Sequence, residues 1–330
     1  MNFTAQLAIV ICLLGLWAAV LRLRLGLALP PVARANIKFT HVLPSILQAV
    51  LFTYWAMYWS PVVAHVPVLA VQLVFAYAFD FLFAWTTRRA YVPTFGPVPI
   101  VLSANLFVWF PQALLLNCLV IAAALASKSL LLRDGRHIFN PSAFGVAVAG
   151  SLCILLPALF SYQDVSHDFD RAPYMAHLIL LLALIPQLRL GTTPVALGAA
   201  ITMLGTMLIV FSLTGYRGGP SPWWPPWLLA ITLLAGDPAT IPSTPLSRLL
   251  FGLFLGFAFY VLSRAMLVSI GTDFFSKVIA IPFANFLVPT FDHMAHRLAL
   301  RRPAWARESR VYLVVWLSLS ILMLALEGRT

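Results

Sequence analysis

The sequence predicts an all-α polytopic membrane protein, with ten to twelve transmembrane helices in two related halves that carry broken helices. Three observations predict it. Of 330 residues, 62% are hydrophobic and only 9% charged, whereas a soluble domain carries roughly 25% charged residues. The apolar residues fall in runs close to the ~20 residues that cross a bilayer. Two polar stretches rich in Gly and Pro, 133–145 and 236–245, interrupt those runs.

In order, the predicted spans are 5–21, 42–59, 66–85, 98–110, 111–131, 142–160, 174–188, 194–214, 223–235, 245–270, 275–291 and 311–326. Those at 98–110 and 223–235 are short and read as half-helices or re-entrant pieces, so the count stays between ten and twelve. No gap between spans holds a soluble module, and residues 1–330 read as a single integral membrane domain.

The net charge of +11 would suggest a nucleic-acid partner in a soluble protein. Here the basic residues sit in short loops and form no stripe interleaved with exposed aromatics, so nucleic acid is excluded and the lipid bilayer is the partner. With an outside N-terminus and all segments crossing, sixteen of the 21 Lys and Arg fall on the inner side. That is the positive-inside pattern. Arg22 and Arg24 follow the first apolar run, which argues against a cleavable signal peptide. The longest outer polar loop is 161–173. The basic inner loop 297–310 reads as a topology signal touching anionic lipid, or as a dock for an acidic soluble partner.

Cys12, Cys118 and Cys153 each lie in an apolar run, and none forms a C-x-x-C pair. They read as small buried hydrophobes, not as ligands of zinc or an iron–sulfur cluster. His293 and His296 share a helical face beside Asp292 and read as a solvated helix end, with a metal site as the sharper alternative. Asp80 lies within a long apolar run and reads either as a cation or proton ligand or as a structural partner of Arg88 and Arg89. No P-loop, G-x-G-x-x-G, G-x-S-x-G or H-E-x-x-H sequence is present.

The two interruptions carry the chemistry. Asn140-Pro141 has the form of an N-cap followed by proline at the first helical position, where its missing N–H costs nothing. Asp237-Pro238, Thr244-Pro245 and Thr193-Pro194 follow the same logic. Each is expected to open a helix whose first N–H groups favour an anionic or electron-rich ligand. The plainer alternative is an ordinary cap at the membrane surface. Broken helices in lipid survive chiefly where they line a cavity or a site. Gly252-x-x-x-Gly256 lets another helix, or a flat ligand, approach closely.

At these residues the sequence resembles the membrane subunits of bacterial flavin-linked electron-transport complexes. This is the NqrB/RnfD family, whose members serve the sodium-translocating NADH:quinone oxidoreductase and the Rnf complex. The family pattern G-R-x-x-x-N-P-A-x-x-G stands here as Gly135-Arg136-His137-Ile138-Phe139-Asn140-Pro141-Ser142-Ala143-Phe144-Gly145. The pattern T-D-P-x-(S/T)-x-P-x-T stands as Gly236-Asp237-Pro238-Ala239-Thr240-Ile241-Pro242-Ser243-Thr244. Leu190-Gly191-Thr192-Thr193-Pro194 is a weaker match to a G-E-(S/T) element. The resemblance covers about residues 100–265.

The resemblance implies a protein of the bacterial inner membrane that holds flavin or quinone, works beside other redox subunits and is coupled to cation movement. It implies a cofactor site around Arg136, His137, Asn140, Asp237, Thr240, Ser243, Thr244 and Arg248, with arginine meeting phosphate or ring carbonyls. Members attach FMN to the threonine of an S-G-A-T motif. The matching loop 161–173 has no threonine, so FMN or riboflavin is expected to be held non-covalently. Two other readings use the same features: a transporter or channel of the urea/ammonium-transporter type without a redox group, and a scaffold or assembly subunit of another membrane complex.

Overall fold

The computed structural model describes residues 2–34, 39–88, 90–110, 113–157, 161–216, 218–299 and 309–327. Lys38, Arg89, Arg217, Arg329 and residues 300–308 of the predicted basic loop lie outside the described residues. The fold is all-α. Its only strands among the described residues are four two-residue pieces. The chain divides into two compact units, Met1–Leu130 with Val148–Ala172, and Leu131–Ala147 with Pro173–Thr330.

The first unit holds α1 (Phe3–Ala19), α2 (Phe39–Tyr58), α3 (Ser60–Thr87), α4 (Pro97–Asn105) and α5 (Leu114–Leu130). Asn2 caps α1 by accepting from the Ala5 N–H at 2.9 Å, and α1 runs on as a π-turn, Val20–Arg24. α3 opens at Ser60-Pro61, where proline needs no N–H donor. α4 spans nine residues, too few to cross a bilayer at 1.5 Å per residue. The predicted outer loop is folded: Gln163–Asp164 pairs antiparallel with Val108–Trp109, and a 3-10 helix, Ser166–Arg171, follows. Asp80 faces Arg88 at 3.5 Å, the structural pairing of the two readings.

One polar network in this unit joins His65 to the buried Asn105 and Gln72. His65 Nε2 lies 2.8 Å from Asn105 Oδ1. Asn105 Nδ2 donates to Gln72 Oε1 at 2.6 Å, and Trp109 Nε1 donates to the Asn105 carbonyl at 2.9 Å. Trp109 stacks between His65 and Trp59, with centroids 4.0 and 5.3 Å away.

The second unit begins with a hairpin and the start of α6 (Pro141–Leu155). It continues with α7 (Met175–Leu190), α8 (Thr193–Thr214) and α9 (Pro225–Leu229), which runs into a π-helix, Ala230–Leu234. Then come α10 (Pro245–Ile270), α11 (Phe274–Phe286), α12 (Val288–Ala299) and α13 (Ser309–Glu327). α8 and α10 pack with their backbones touching. A Cβ added at Gly198 would lie 2.6 Å from the Leu249 carbonyl oxygen. One added at Gly252 or Gly256 would collide with the Val195 or Ala199 backbone. Gly252-x-x-x-Gly256 therefore serves helix packing.

Four helical stretches are long and apolar enough to cross a membrane: Phe3–Arg24, α3, α8 and α10. Shorter apolar helices accompany them, at α5, α6, α7, Pro225–Leu234 and Arg310–Ala325. The protein is an integral membrane protein. One predicted span needs correction. The run 275–291 is not a single helix, because the chain breaks at Leu287 and α11 meets α12 at 58°. Pro289 accounts for it, since its ring cannot continue the α11 ladder but suits the first turn of a new helix. Cys118 and Cys153 are buried as expected, whereas Cys12 is exposed.

Candidate functional site at the paired chain breaks

Both interruptions fall in the second unit, and the structure brings them together. The first break is a β-hairpin. Leu132 pairs with His137 and Arg133 with Arg136. Asp134 (φ 52°) and Gly135 (φ 76°) form the two-residue loop. Positive φ at both positions is the type I′ turn that Asp-Gly favours. The hairpin leaves Arg136 exposed and delivers His137, half-buried, to the mouth of α6. Asn140 caps that helix as expected, its Oδ1 accepting from the Ala143 N–H at 3.1 Å.

The second break follows the π-helix, where the Ala235 N–H reaches back five residues to the Ala230 carbonyl at 2.8 Å. Such turns insert one extra residue and recur at functional sites. Gly236 then turns the chain. A Cβ there would stand 2.8 Å from the Thr232 carbonyl oxygen. Asp237-Pro238 does not open a helix, contrary to expectation. Asp237 Oδ1 accepts from the Ala239 N–H at 3.1 Å, and the Thr240 N–H bonds the Asp237 carbonyl at 3.0 Å, which makes a side-chain-closed turn. The helix starts at Thr244-Pro245. There Thr244 and Ser247 exchange side-chain and backbone bonds in a capping box.

Long-range bonds join the breaks. His137 Nε2 lies 3.1 Å from Asp237 Oδ2. Asn140 Nδ2 donates to the Leu234 carbonyl at 2.9 Å, tying the cap of α6 to the end of the π-helix. Asn285, in the last turn of α11, bridges both. Its Oδ1 accepts from the Asn140 N–H at 3.0 Å, and its Nδ2 donates to the Thr240 carbonyl at 3.0 Å. Asn285 is 1% exposed, so each of these bonds replaces one that water cannot supply. A third break, at Leu287, thus holds the other two. Sequence reasoning missed Asn285. Its one signal is a lone amide inside an apolar run.

The remaining predicted residues hold the chain in place. Arg248 Nε donates to the Pro242 carbonyl, and its Nη1 donates to those of Leu190 and Gly191, all at 2.8–2.9 Å. It clamps the α7–α8 turn to the second break. The α7–α8 element therefore belongs to the same site. Ser243 binds Asp292 through its N–H and Oγ, at 3.0 and 2.9 Å. The Thr240 side chain bonds the Asp237 carbonyl at 3.2 Å. Among the predicted site residues, the paired His137 and Asp237 side chains stay partly accessible, and Arg136, Ser243 and Thr244 are exposed, with Arg136 on the hairpin. An imidazole and a carboxylate held together offer a donor and an acceptor to a ring that carries both carbonyl and N–H groups. The sequence matches no protein-family model and none of the curated proteins.

Proposed function

We propose that this chain is the membrane component of a flavin-linked electron-transport system and holds FMN, riboflavin or a quinone non-covalently at its paired chain breaks. The observation that carries this reading is the meeting of the two breaks, cross-linked by His137–Asp237 and by Asn285. Irregular backbone is costly in a membrane, and three breaks fastened to one another make a fixed polar platform. Arg136 meets an anionic or carbonyl oxygen, while His137 and Asp237 fix the orientation of an N–H edge. Asn140, Asn285 and Arg248 keep that platform rigid. The bound group supplies the one-electron chemistry, and partner redox subunits of the bacterial inner membrane supply and accept the electrons. The N-terminus faces outward, and electron flow is coupled to cation movement.

The visible spectrum of the protein purified in detergent tests this. A yellow flavin band lost on denaturation is expected, and Asp237→Ala and Arg136→Ala each lower flavin content while the protein stays folded. Full flavin content in both variants overturns the site. A colourless protein that carries solute flux in liposomes is a transporter instead. A colourless and inert one is a scaffold.

A further inference from the structure

Two buried side chains beside the second break make no hydrogen bond with the protein. Thr192, the residue before α8, is 2% exposed, and its Oγ1 has no partner. Gln187, one turn earlier, is also 2% exposed, and both atoms of its amide lack partners. Met175, Ile179, Ala183 and Gln187 recur every fourth residue on the buried face of α7, which packs on α9 and its π-helical extension. The Gln187 carbonyl accepts from the Gly191 N–H at 3.1 Å, which closes the turn between the two side chains. Thr192 lies against Gly236, its Oγ1 3.6 Å from where a Cβ would stand. An unbonded buried amide or hydroxyl is costly, so two of them flanking the α7–α8 turn need an explanation.

The surroundings select the sign of the guest. Thr192 occupies the N-cap position of a 22-residue helix, but its side chain caps nothing. Pro194 has no N–H and the Val195 N–H bonds the Thr192 carbonyl at 3.0 Å, so what the α8 N-terminus brings there is the positive end of its dipole. The Arg248 guanidinium is bonded to the Leu190 and Gly191 carbonyls of the same turn. Asp292, whose charge acts on Arg248, is itself held by Ser243. A cation would meet the helix end and the guanidinium together. Thr192 Oγ1 and Gln187 Nε2 are the unspent side-chain donors that this segment has for an oxyanion.

We propose that the α7–α8 turn is an oxyanion subsite in which Thr192 and Gln187, backed by the α8 N-terminus and Arg248, take a phosphate group. This rests on the reading of the breaks as a cofactor site. There the phosphate is the monoester of a mononucleotide such as FMN, and the alternative source is free phosphate.

The test uses the full-length protein in detergent and its thermal unfolding midpoint. Inorganic phosphate raises that midpoint relative to chloride at matched ionic strength. Thr192→Val and Gln187→Met weaken the apparent phosphate affinity about tenfold, as expected for losing a hydrogen bond to a charged group. Neither variant lowers the midpoint without phosphate, because neither removes a bond within the protein. A residue with a purely structural role would lower it. Retention of FMN over riboflavin in wild type, abolished in Thr192→Val, identifies the phosphate as the nucleotide's. A phosphate effect without that preference identifies free phosphate. No phosphate effect in wild type, or wild-type affinity in both variants, overturns the subsite. A colourless protein that still binds phosphate keeps the subsite and removes the flavin reading. A yellow one that retains FMN and riboflavin equally and ignores phosphate does the reverse.

Discussion

Each compact unit buries amides among apolar helices, and the two networks end differently. In the first unit, Asn105 and Gln72 spend their amides on each other and on His65. Trp109 seals the edge. In the second, Asn140 and Asn285 close a similar net around three chain breaks, but Gln187 and Thr192 beside it stay unbonded. Polarity inside hydrocarbon therefore does not mark a site by itself. A satisfied network specifies how helices pack. Single unbonded atoms occur in both units, at Ser45, Gln48 and Trp85 in the first, and what sets Gln187 and Thr192 apart is their place at the turn that Arg248 ties to the breaks.

Three substitutions sharpen this contrast, ordered by size. Asn285→Ala leaves the Asn140 N–H and the Thr240 carbonyl buried without partners. It should cost about 3 kcal/mol, at ~1–3 kcal/mol for each orphaned group. Denaturant unfolding in micelles reads this, and bound ligand should fall with it. Asn105→Ala should cost about 2 kcal/mol by the same reasoning and leave ligand content per folded molecule unchanged. An equal loss of ligand from both variants would erase the distinction between the networks. Asp237→Asn should shift stability by less than about 1 kcal/mol, since the His137–Asp237 pair is only partly buried. Its effect belongs in ligand content.

The sequence carried the local half of the site. Asp134-Gly135 specifies its turn by backbone preference alone, and Asn140-Pro141 and Thr244-Pro245 cap the helices that they precede. Asp237-Pro238 misled because an aspartate that closes a turn and one that caps a helix accept the same kind of N–H bond within three residues. Arg248 read as a site residue, but nothing local shows that the carbonyls it bonds lie at Leu190 and Gly191. Asn285 was illegible for the same reason: its partners are 145 and 45 residues away in the chain. The bend at Leu287 hid inside an unbroken apolar run, where hydropathy reports length but not direction. The proposed identity of a guest rests on the resemblance alone, while the tie of the α7–α8 turn to the breaks came from packing.

The glycine seam has a mechanical consequence. Sliding between helices needs interdigitated side chains that can change rotamer and register. Along Gly198, Gly252 and Gly256, α8 and α10 meet main chain against main chain, with no such layer between them. The pair therefore behaves as one beam, with the Thr192 turn and the Thr244 cap at the same end of it. Any motion that admits or releases a guest falls to the pieces fastened to that beam, foremost the jointed α11–α12 arm, which carries Asn285 at its elbow.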